Sequence, residues 1–258
     1  MRKIIKISLI ILFWLGVWEI ASLIVDLPML FPSPITVIKR LFELVLEWDF
    51  YKSILISLFH VLLGIIVAVF FGIILAIVSA LFGTVYSLVS PFLTVIKSTP
   101  VVAFIFLINV FIGDEKTVVI ICSLMVLPIV FANVYQGIKS VDVSLLEASK
   151  VFKIPFKKLI WALYIPSTLP YFLSALLSAI GLAWKAGVAA EVLCNQKNTI
   201  GTNISSANQY FDNTEIFAWT VVIIIFSLLF EFLFTKLIKI LFKRQLKLGG
   251  SDGNKKFN

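Results

Sequence analysis

Long apolar runs alternate with short polar segments along the whole chain. Six runs can be distinguished, and they cover residues 4–25, 54–82, 88–112, 117–135, 159–190 and 215–237. Each is close to the roughly 20 residues that an α-helix needs to cross the bilayer core. The runs are continuously apolar rather than alternating, which excludes a transmembrane β-barrel. The pattern therefore predicts an all-α fold, a polytopic transmembrane helical bundle of about six spans.

Composition supports this class and charge adds an orientation. The chain is 60% hydrophobic and 14% charged, far less charged than the surface of a soluble domain requires. Its net charge of +8 comes from basic residues near the ends of the runs, so it indicates membrane orientation and not nucleic-acid binding. Sixteen of the 22 basic residues lie on the side that holds both termini in a six-span topology. The positive-inside rule predicts a bacterial plasma (inner) membrane protein with both termini in the cytoplasm.

The polar segments divide the chain further. Residues 36–48 carry apolar side chains at helical spacing with charges opposite, which predicts a short interfacial helix. Residues 195–214, rich in Asn, Ser and Gly, are predicted to form a loop. We expect three regions: an N-terminal span with the external interfacial helix (1–50), a transmembrane core with a polar loop at 140–170 (51–242) and a basic cytoplasmic tail (243–258).

The second run carries small residues at strict four-residue intervals. They are Gly64, Ala68, Gly72, Ala76 and Ala80. This spacing places them on one face of a helix, where they allow a neighbouring backbone to approach closely. The row predicts a tight packing seam.

The polar segment 141–158 is amphipathic and lies between two spans. Glu147 and Lys150 can face water, and Pro155 interrupts the helix because proline removes a backbone donor and restricts the residue before it. We expect two short helices joined by a bend. Amphipathicity alone is equally typical of a loop that rests on lipid headgroups.

Charged residues near the end of the fifth run are candidates for a transport pathway. Lys185 and Glu191, with the neighbouring Trp184, could line that pathway or its external gate, because a charge deep in a bilayer costs about 2.5–3.5 kcal/mol unless it faces the bundle interior or water. Alternatively, both charges lie at the outer interface or form a structural pair. Lys97, near Pro100 in the third run, is predicted to reach the cytoplasmic interface.

Several motifs resemble one family. Glu147-Ala148-Ser149, followed by Lys153, Ile165-Pro166 and Leu169-Pro170, is similar to the EAA loop of permease subunits of bacterial ABC importers, with Ser149 in place of the second alanine and Lys153 in place of the glycine. The resemblance extends over residues 31–239. Further motifs resemble the nitrate/sulfonate/taurine branch, namely residues 97–103, 126–128, 137–142 and 181–191.

The resemblance implies a type I ABC importer permease fold with a cytoplasmic coupling helix. The partners it implies are a cytoplasmic ATP-binding subunit, an extracytoplasmic substrate-binding protein, a second permease copy in a homodimer and the lipid membrane. The residues it assigns to contact with the ATPase are Glu147, Ala148, Ser149, Lys153 and Pro155. It implies a small anion such as a sulfonate, taurine or nitrate as substrate. Similar systems import vitamin precursors such as thiamine pyrimidines or riboflavin.

The chain itself is not expected to be an enzyme. It contains no Gly-x-x-x-x-Gly-Lys-Ser/Thr phosphate loop, so ATP hydrolysis must come from a partner. Two distant cysteines, Cys122 and Cys194, and a single histidine give no metal-site spacing, and no cofactor is expected. A stand-alone secondary transporter is the less favoured alternative, because neither an inverted repeat nor several acidic residues within the spans can be discerned.

Overall fold

Helices form the regular structure of the described part of the chain. The computed structural model describes residues 2–241, and for residues 2–4, 7, 114, 115, 238, 239 and 241 it describes the backbone alone. In chain order the helices are α1 (Arg2–Val25), α2 (Pro34–Leu46), α3 (Trp48–Leu81), α4 (Gly83–Ser98), α5 (Val101–Ile112), α6 (Asp114–Lys139), α7 (Val143–Val151), α8 (Phe156–Leu159), α9 (Ile165–Cys194), α10 (Ile200–Gln209) and α11 (Asn213–Leu241), with a π-helical turn (Ile160–Tyr164) before α9. The predicted basic tail, 243–258, lies outside the described residues.

The third apolar run is broken into two helices. α4 and α5 meet at an angle of 106° across Thr99 and Pro100. Pro100 disfavours a helical conformation in the residue before it, and Thr99 accordingly takes an extended ψ of 134°. The third run is therefore two helices joined by a sharp bend.

The segment 195–214 was predicted to be a loop, and this prediction is wrong in part because α10 lies within it. Thr199 begins the helix, its Oγ1 accepting a hydrogen bond from the Thr202 amide at 3.2 Å. Ile200 and Ala207 are buried. Side-chain burial thus supports a helix whose Asn, Ser and Gly residues have poor intrinsic helix propensity.

Residue contacts group the described chain into two compact units, one of residues 2–58 and 191–226 and one of residues 59–190 and 227–241. In the second unit, α3 and α6 run parallel. A Cβ on Gly64 would stand 2.4 Å from the Cβ of Cys122, and one on Gly72 would stand 2.9 Å from Cγ1 of Val130. Since both helices cross the membrane in the same direction, the chain between them has to cross back in the opposite direction.

The bent α4–α5 pair therefore counts as one span. Five single helices are long and apolar enough to cross a membrane, and this pair makes six. The predicted all-α transmembrane bundle of about six spans is confirmed. α9 runs antiparallel to α6, because Gly137 lies against Thr168 while Cys122 Sγ lies 3.5 Å from the Ala183 carbonyl oxygen.

The predicted small-residue row lies along the contact of α3 with its neighbours. Gly64, Ala68, Gly72 and Ala76 are buried, and Ala80 is half-buried. At the end of the row, Lys139 Nζ donates to the Ala80 carbonyl oxygen at 3.4 Å.

A cluster of polar contacts holds the first unit together. Arg40 on α2 forms an ion pair with Glu215 at the start of α11 and another with Glu43 at 2.9 Å. The hydrogen bond from Glu215 raises the pKa of Arg40 further above its already high value, although burial opposes the shift. Trp219 Nε1 donates to the same Glu215 carboxyl group at 2.8 Å. These bonds fix the predicted interfacial helix against the last span.

Candidate functional site

The segment between α6 and α9 contains the predicted bend, with the short helix α7 before it. After the bend, α8 continues through the π-helical turn into α9 as one helix, Phe156–Cys194, so the second predicted short helix is not a separate one. Asp142 caps α7, its Oδ1 accepting from the Ser144 amide at 2.8 Å. At the other end, the Ile154 amide donates to the Ser149 carbonyl at 2.9 Å and the Lys153 amide donates to the Lys150 carbonyl at 3.1 Å. This pair of bonds is a Schellman motif, which ends a helix in one left-handed residue.

Lys153 is that left-handed residue, with φ of 50°. The sequence suggested that Pro155 supplies the bend which the family's glycine permits. In the structure Lys153 itself adopts the glycine-like conformation, and Pro155 begins α8 with an extended ψ of 141°. A side chain in the left-handed region costs about 1–2 kcal/mol, because Cβ crowds the following carbonyl oxygen.

We expect Lys153→Gly to stabilise the end of α7 by about 1 kcal/mol, since glycine pays no Cβ penalty at this position. The hydrogen exchange of the Ile154 amide should slow by roughly fivefold, read by mass spectrometry of a peptide that covers α7. Lys150→Gly, inside the same helix, is the control and should accelerate exchange because glycine is a poor helix former. Faster exchange in Lys153→Gly would contradict the left-handed turn.

The predicted coupling residues lie on or just under an exposed surface. Glu147, Ala148, Lys153 and Pro155 are exposed, whereas Ser149 is buried and its Oγ donates to the Leu146 carbonyl at 2.7 Å. The same surface presents large apolar side chains, which are Val143, Val151, Phe152 and Phe156. Apolar residues exposed together outside the spans are typical of a protein-binding surface. We call residues 143–156 the coupling surface.

The three pathway candidates lie in different environments. Lys185 is exposed. Trp184 is buried, with its ring centroid 6.0 Å from that of Phe230. Glu191 is completely buried within the first unit.

Glu191, near the end of α9, forms hydrogen bonds with residues of α3 and α10. Its Oε2 accepts from the Ser57 hydroxyl at 2.7 Å and from the Gly201 amide at 3.3 Å. Ser57 Oγ in turn accepts from the Ile200 amide at 3.0 Å. The first N–H groups of α10 have no acceptor within the helix, and the helix dipole is positive at this end. Both effects favour a carboxyl oxygen there. The geometry favours the structural alternative for Glu191 over a place in the pathway.

Sequence reasoning missed the partners of Glu191. Ser53 and Ser57 are buried near the start of α3, and Asn203 Nδ2 donates to Ser53 Oγ at 3.0 Å. The available signal was a pair of serines one helical turn apart at the head of an apolar run.

Comparison with known proteins agrees with the motifs. Residues 68–247 match the profile of the family described as "Binding-protein-dependent transport system inner membrane component". The putative aliphatic sulfonates transport permease SsuC of Bacillus subtilis is 25% identical over 210 residues, covering 81% of this chain and 76% of the relative. The nitrate import permease NrtB of Synechococcus elongatus is 29% identical over 192 residues, covering 70% and 68%. The formylaminopyrimidine transport permease ThiX of Halalkalibacterium halodurans is 27% identical over 188 residues, covering 72% and 74%.

The fold agrees with a solved importer. A chain of the MetNI methionine ABC transporter, in an inward-facing conformation, superposes with a TM-score of 0.58 over 75% of this chain and 96% of that chain, at 14% identity. The predicted permease fold is thereby confirmed. With the family profile covering most of its length, the chain belongs to the binding-protein-dependent transport system inner membrane components and is the permease subunit of an ABC importer.

Proposed function

We propose that the coupling surface is where this permease docks its ATP-binding subunit. The family implies such a subunit, and the exposure of Glu147, Ala148 and the apolar side chains on α7 is the observation that carries the assignment. Ala148 allows close approach, and the Glu147 carboxylate can pair with a basic group on the partner. Ser149, Lys153 and Pro155 shape the helix end and the turn. ATP-driven movement of the partner would pass through α7 to the spans as a rigid-body change.

The surface faces the cytoplasm in this proposal. α3 and α6 end on the same side, since Lys139 contacts the Ala80 carbonyl, and α7 follows α6 directly. Counting six spans, this is also the side of both termini, and it holds most of the basic residues. The positive-inside rule then supports cytoplasmic termini in the plasma membrane.

A small organic or inorganic anion is the substrate class we propose. Relatives are named for aliphatic sulfonates and for nitrate, which share a small size and a negative charge. A pyrimidine is the second candidate, supported by the formylaminopyrimidine permease among the relatives. The family implies an external substrate-binding protein, and two copies of this chain would enclose the pathway as a homodimer. The ligand that this binding protein retains distinguishes the two substrate classes.

Glu147→Lys tests the docking role. We expect substrate uptake by the importer reconstituted with its ATPase to fall at least about tenfold, because reversing a charge at an interface costs several kcal/mol. Membrane insertion and the melting temperature should stay unchanged, since Glu147 is exposed. Co-purification of the ATPase on a tagged permease gives the second reading and should weaken in parallel.

Glu47→Lys makes the same change just after the end of α2, where the Glu47 side chain is half-exposed and lies 3.7 Å from Arg40. Uptake should remain near the wild-type rate there, because an exposed ion pair is worth little. Normal uptake and normal ATPase binding in Glu147→Lys would exclude the docking role.

A further inference from the structure

A polar cavity lies between α4 and α6 within the second unit. Its volume is about 260 Å³, and its lining includes Ser90, Thr94 and Lys97 from α4 and Gln136 from α6. Aromatic rings close one end, where Tyr86 stacks on Tyr135 with centroids 4.5 Å apart and planes 19° apart. Hydroxyl, amide and ammonium groups therefore share one cavity, which is open where Thr94 and Lys97 are exposed.

Lys97 is 14 residues beyond Gly83, the first residue of α4, which is roughly 21 Å along the helix at about 1.5 Å per residue. α4 and α6 run antiparallel, since Tyr86 near the start of α4 stacks on Tyr135 near the end of α6, whereas Lys97 shares the cavity with Pro128. At about 1.5 Å per residue, Pro128 is roughly 16 Å from Lys139, which ends α6. This is about half of a hydrocarbon core roughly 30 Å thick.

The two helices that line the cavity bring no acidic residue near Lys97. α4 contains none, and the acidic residues of α6 are Asp114 and Glu115 in its first turn, roughly 20 Å from the level of Pro128. Lys97 forms no ion pair with the described side chains. An ammonium group at this depth costs about 2.5–3.5 kcal/mol unless it faces water or a counter-ion.

The chain leaves regular helix close to Lys97, at the bend between α4 and α5. The α4–α5 break at Thr99 and Pro100 leaves backbone groups outside regular helix within a span. Such backbone is tolerated at membrane depth only where protein buries it or a water-filled cavity meets it. Ser90 and Thr94 lie on the same side of α4 as Lys97, which makes one polar stripe that leads along the helix to the aromatic pair.

We propose that this cavity is an anion-binding station on the substrate pathway, with Lys97 as the counter-charge. The volume suits a small monoanion such as a short alkanesulfonate or nitrate, and Ser90 and Gln136 supply further donors. This inference rests on the proposed import of an anion, and it assigns that anion a binding site between α4 and α6. The tyrosine pair bounds the station on the cytoplasmic side.

Two cysteine variants test whether the cavity holds water. In the importer assembled in lipid nanodiscs, Lys97→Cys is compared with Val95→Cys, which is exposed on the opposite face of α4 at nearly the same depth. The probe is the anionic thiol reagent sulfonatoethyl methanethiosulfonate, and the unaltered protein, whose two cysteines are buried, gives the background. We expect Lys97→Cys to react at least about tenfold faster, because a charged reagent is excluded from lipid. Equal rates, or a faster Val95→Cys, would overturn the proposal.

Uptake measurements test the charge. With ethanesulfonate and nitrate as radiolabelled probes, Lys97→Arg should retain most uptake and Lys97→Gln should lose at least about tenfold, the value of one unpaired charge contact. Val95→Ala should import normally. If Lys97→Gln imports an anion at the wild-type rate, this inference fails while the proposed anionic substrate stands. If the unaltered importer takes up neither anion, both fail together.

Discussion

The Gly64→Leu variant is expected to lose its native fold in detergent, whereas Gly181→Leu should keep it. A Cβ on Gly64 would stand 2.4 Å from the Cβ of Cys122 and 2.9 Å from the Val119 carbonyl oxygen. The carbonyl belongs to the backbone of α6, so a rotamer change cannot relieve the clash. Overpacking by one or two methylene groups already costs about 1–3 kcal/mol, and here the two helices would have to separate.

Gly181 provides a matched control, because it also lies in a membrane-spanning helix. It lies inside α9, and a Cβ there would meet nothing within 4 Å. Thermal unfolding and size-exclusion chromatography of the detergent-solubilised protein measure the outcome. Gly72→Leu, whose Cβ would stand 2.9 Å from Cγ1 and 3.0 Å from Cβ of Val130 but 3.4 Å from the nearest backbone atom of α6, should fall between the two. Similar melting temperatures for Gly64→Leu and Gly181→Leu would show that α3 and α6 are not this close.

The packing face of α3 was predictable, but its partner was not. The four-residue spacing of small residues identifies one side of a helix without reference to any other part of the chain. The opposing residues on α6 include Val119, Cys122 and Val130, which show no small-residue pattern. Which helix fills the seam depends on the parallel arrangement of α3 and α6, a tertiary property.

The α4–α5 bend shows a similar limit. Pro91 and Pro100 both interrupt the third apolar run, but Pro91 lies inside α4 and only Pro100 ends a helix. Thr99 helps to close that end, since its amide and its Oγ1 both donate to the Val95 carbonyl, at 3.0 and 2.8 Å. By residue type alone, either proline could break the helix. Local capping decided between them.

The surface segment was predicted more completely because its signals are local. Asp142 before α7 and the proline after it are cap and breaker signals that act within a few residues. The left-handed Lys153 could not be read from residue type, since lysine has no preference for that conformation. The missed helix α10 depends on contacts distant in sequence, including the bond between Ile200 and Ser57.

Glu191→Leu is expected to lower the free energy of unfolding of the permease by about 3 kcal/mol. The substitution leaves the Ser57 hydroxyl and the Gly201 amide buried without their acceptor, and each buried group without a partner costs about 1–3 kcal/mol. Glu191→Gln keeps a carbonyl oxygen for these donors and should cost about 1 kcal/mol. Ser57→Ala removes the link to the Ile200 amide and should also destabilise. The melting temperature in detergent measures all three variants.

Ser79→Ala is the control for the hydroxyl deletion. Ser79 is as buried as Ser57 and lies on the same helix, but its Oγ has no hydrogen-bond partner among the described residues, so its removal should be neutral.

The two roles considered for Glu191 predict different transport by Glu191→Gln. A structural role leaves uptake per folded molecule unchanged, because the residue only holds the start of α10. A pathway role abolishes uptake while the melting temperature stays near the wild-type value, and that result would reject the structural assignment.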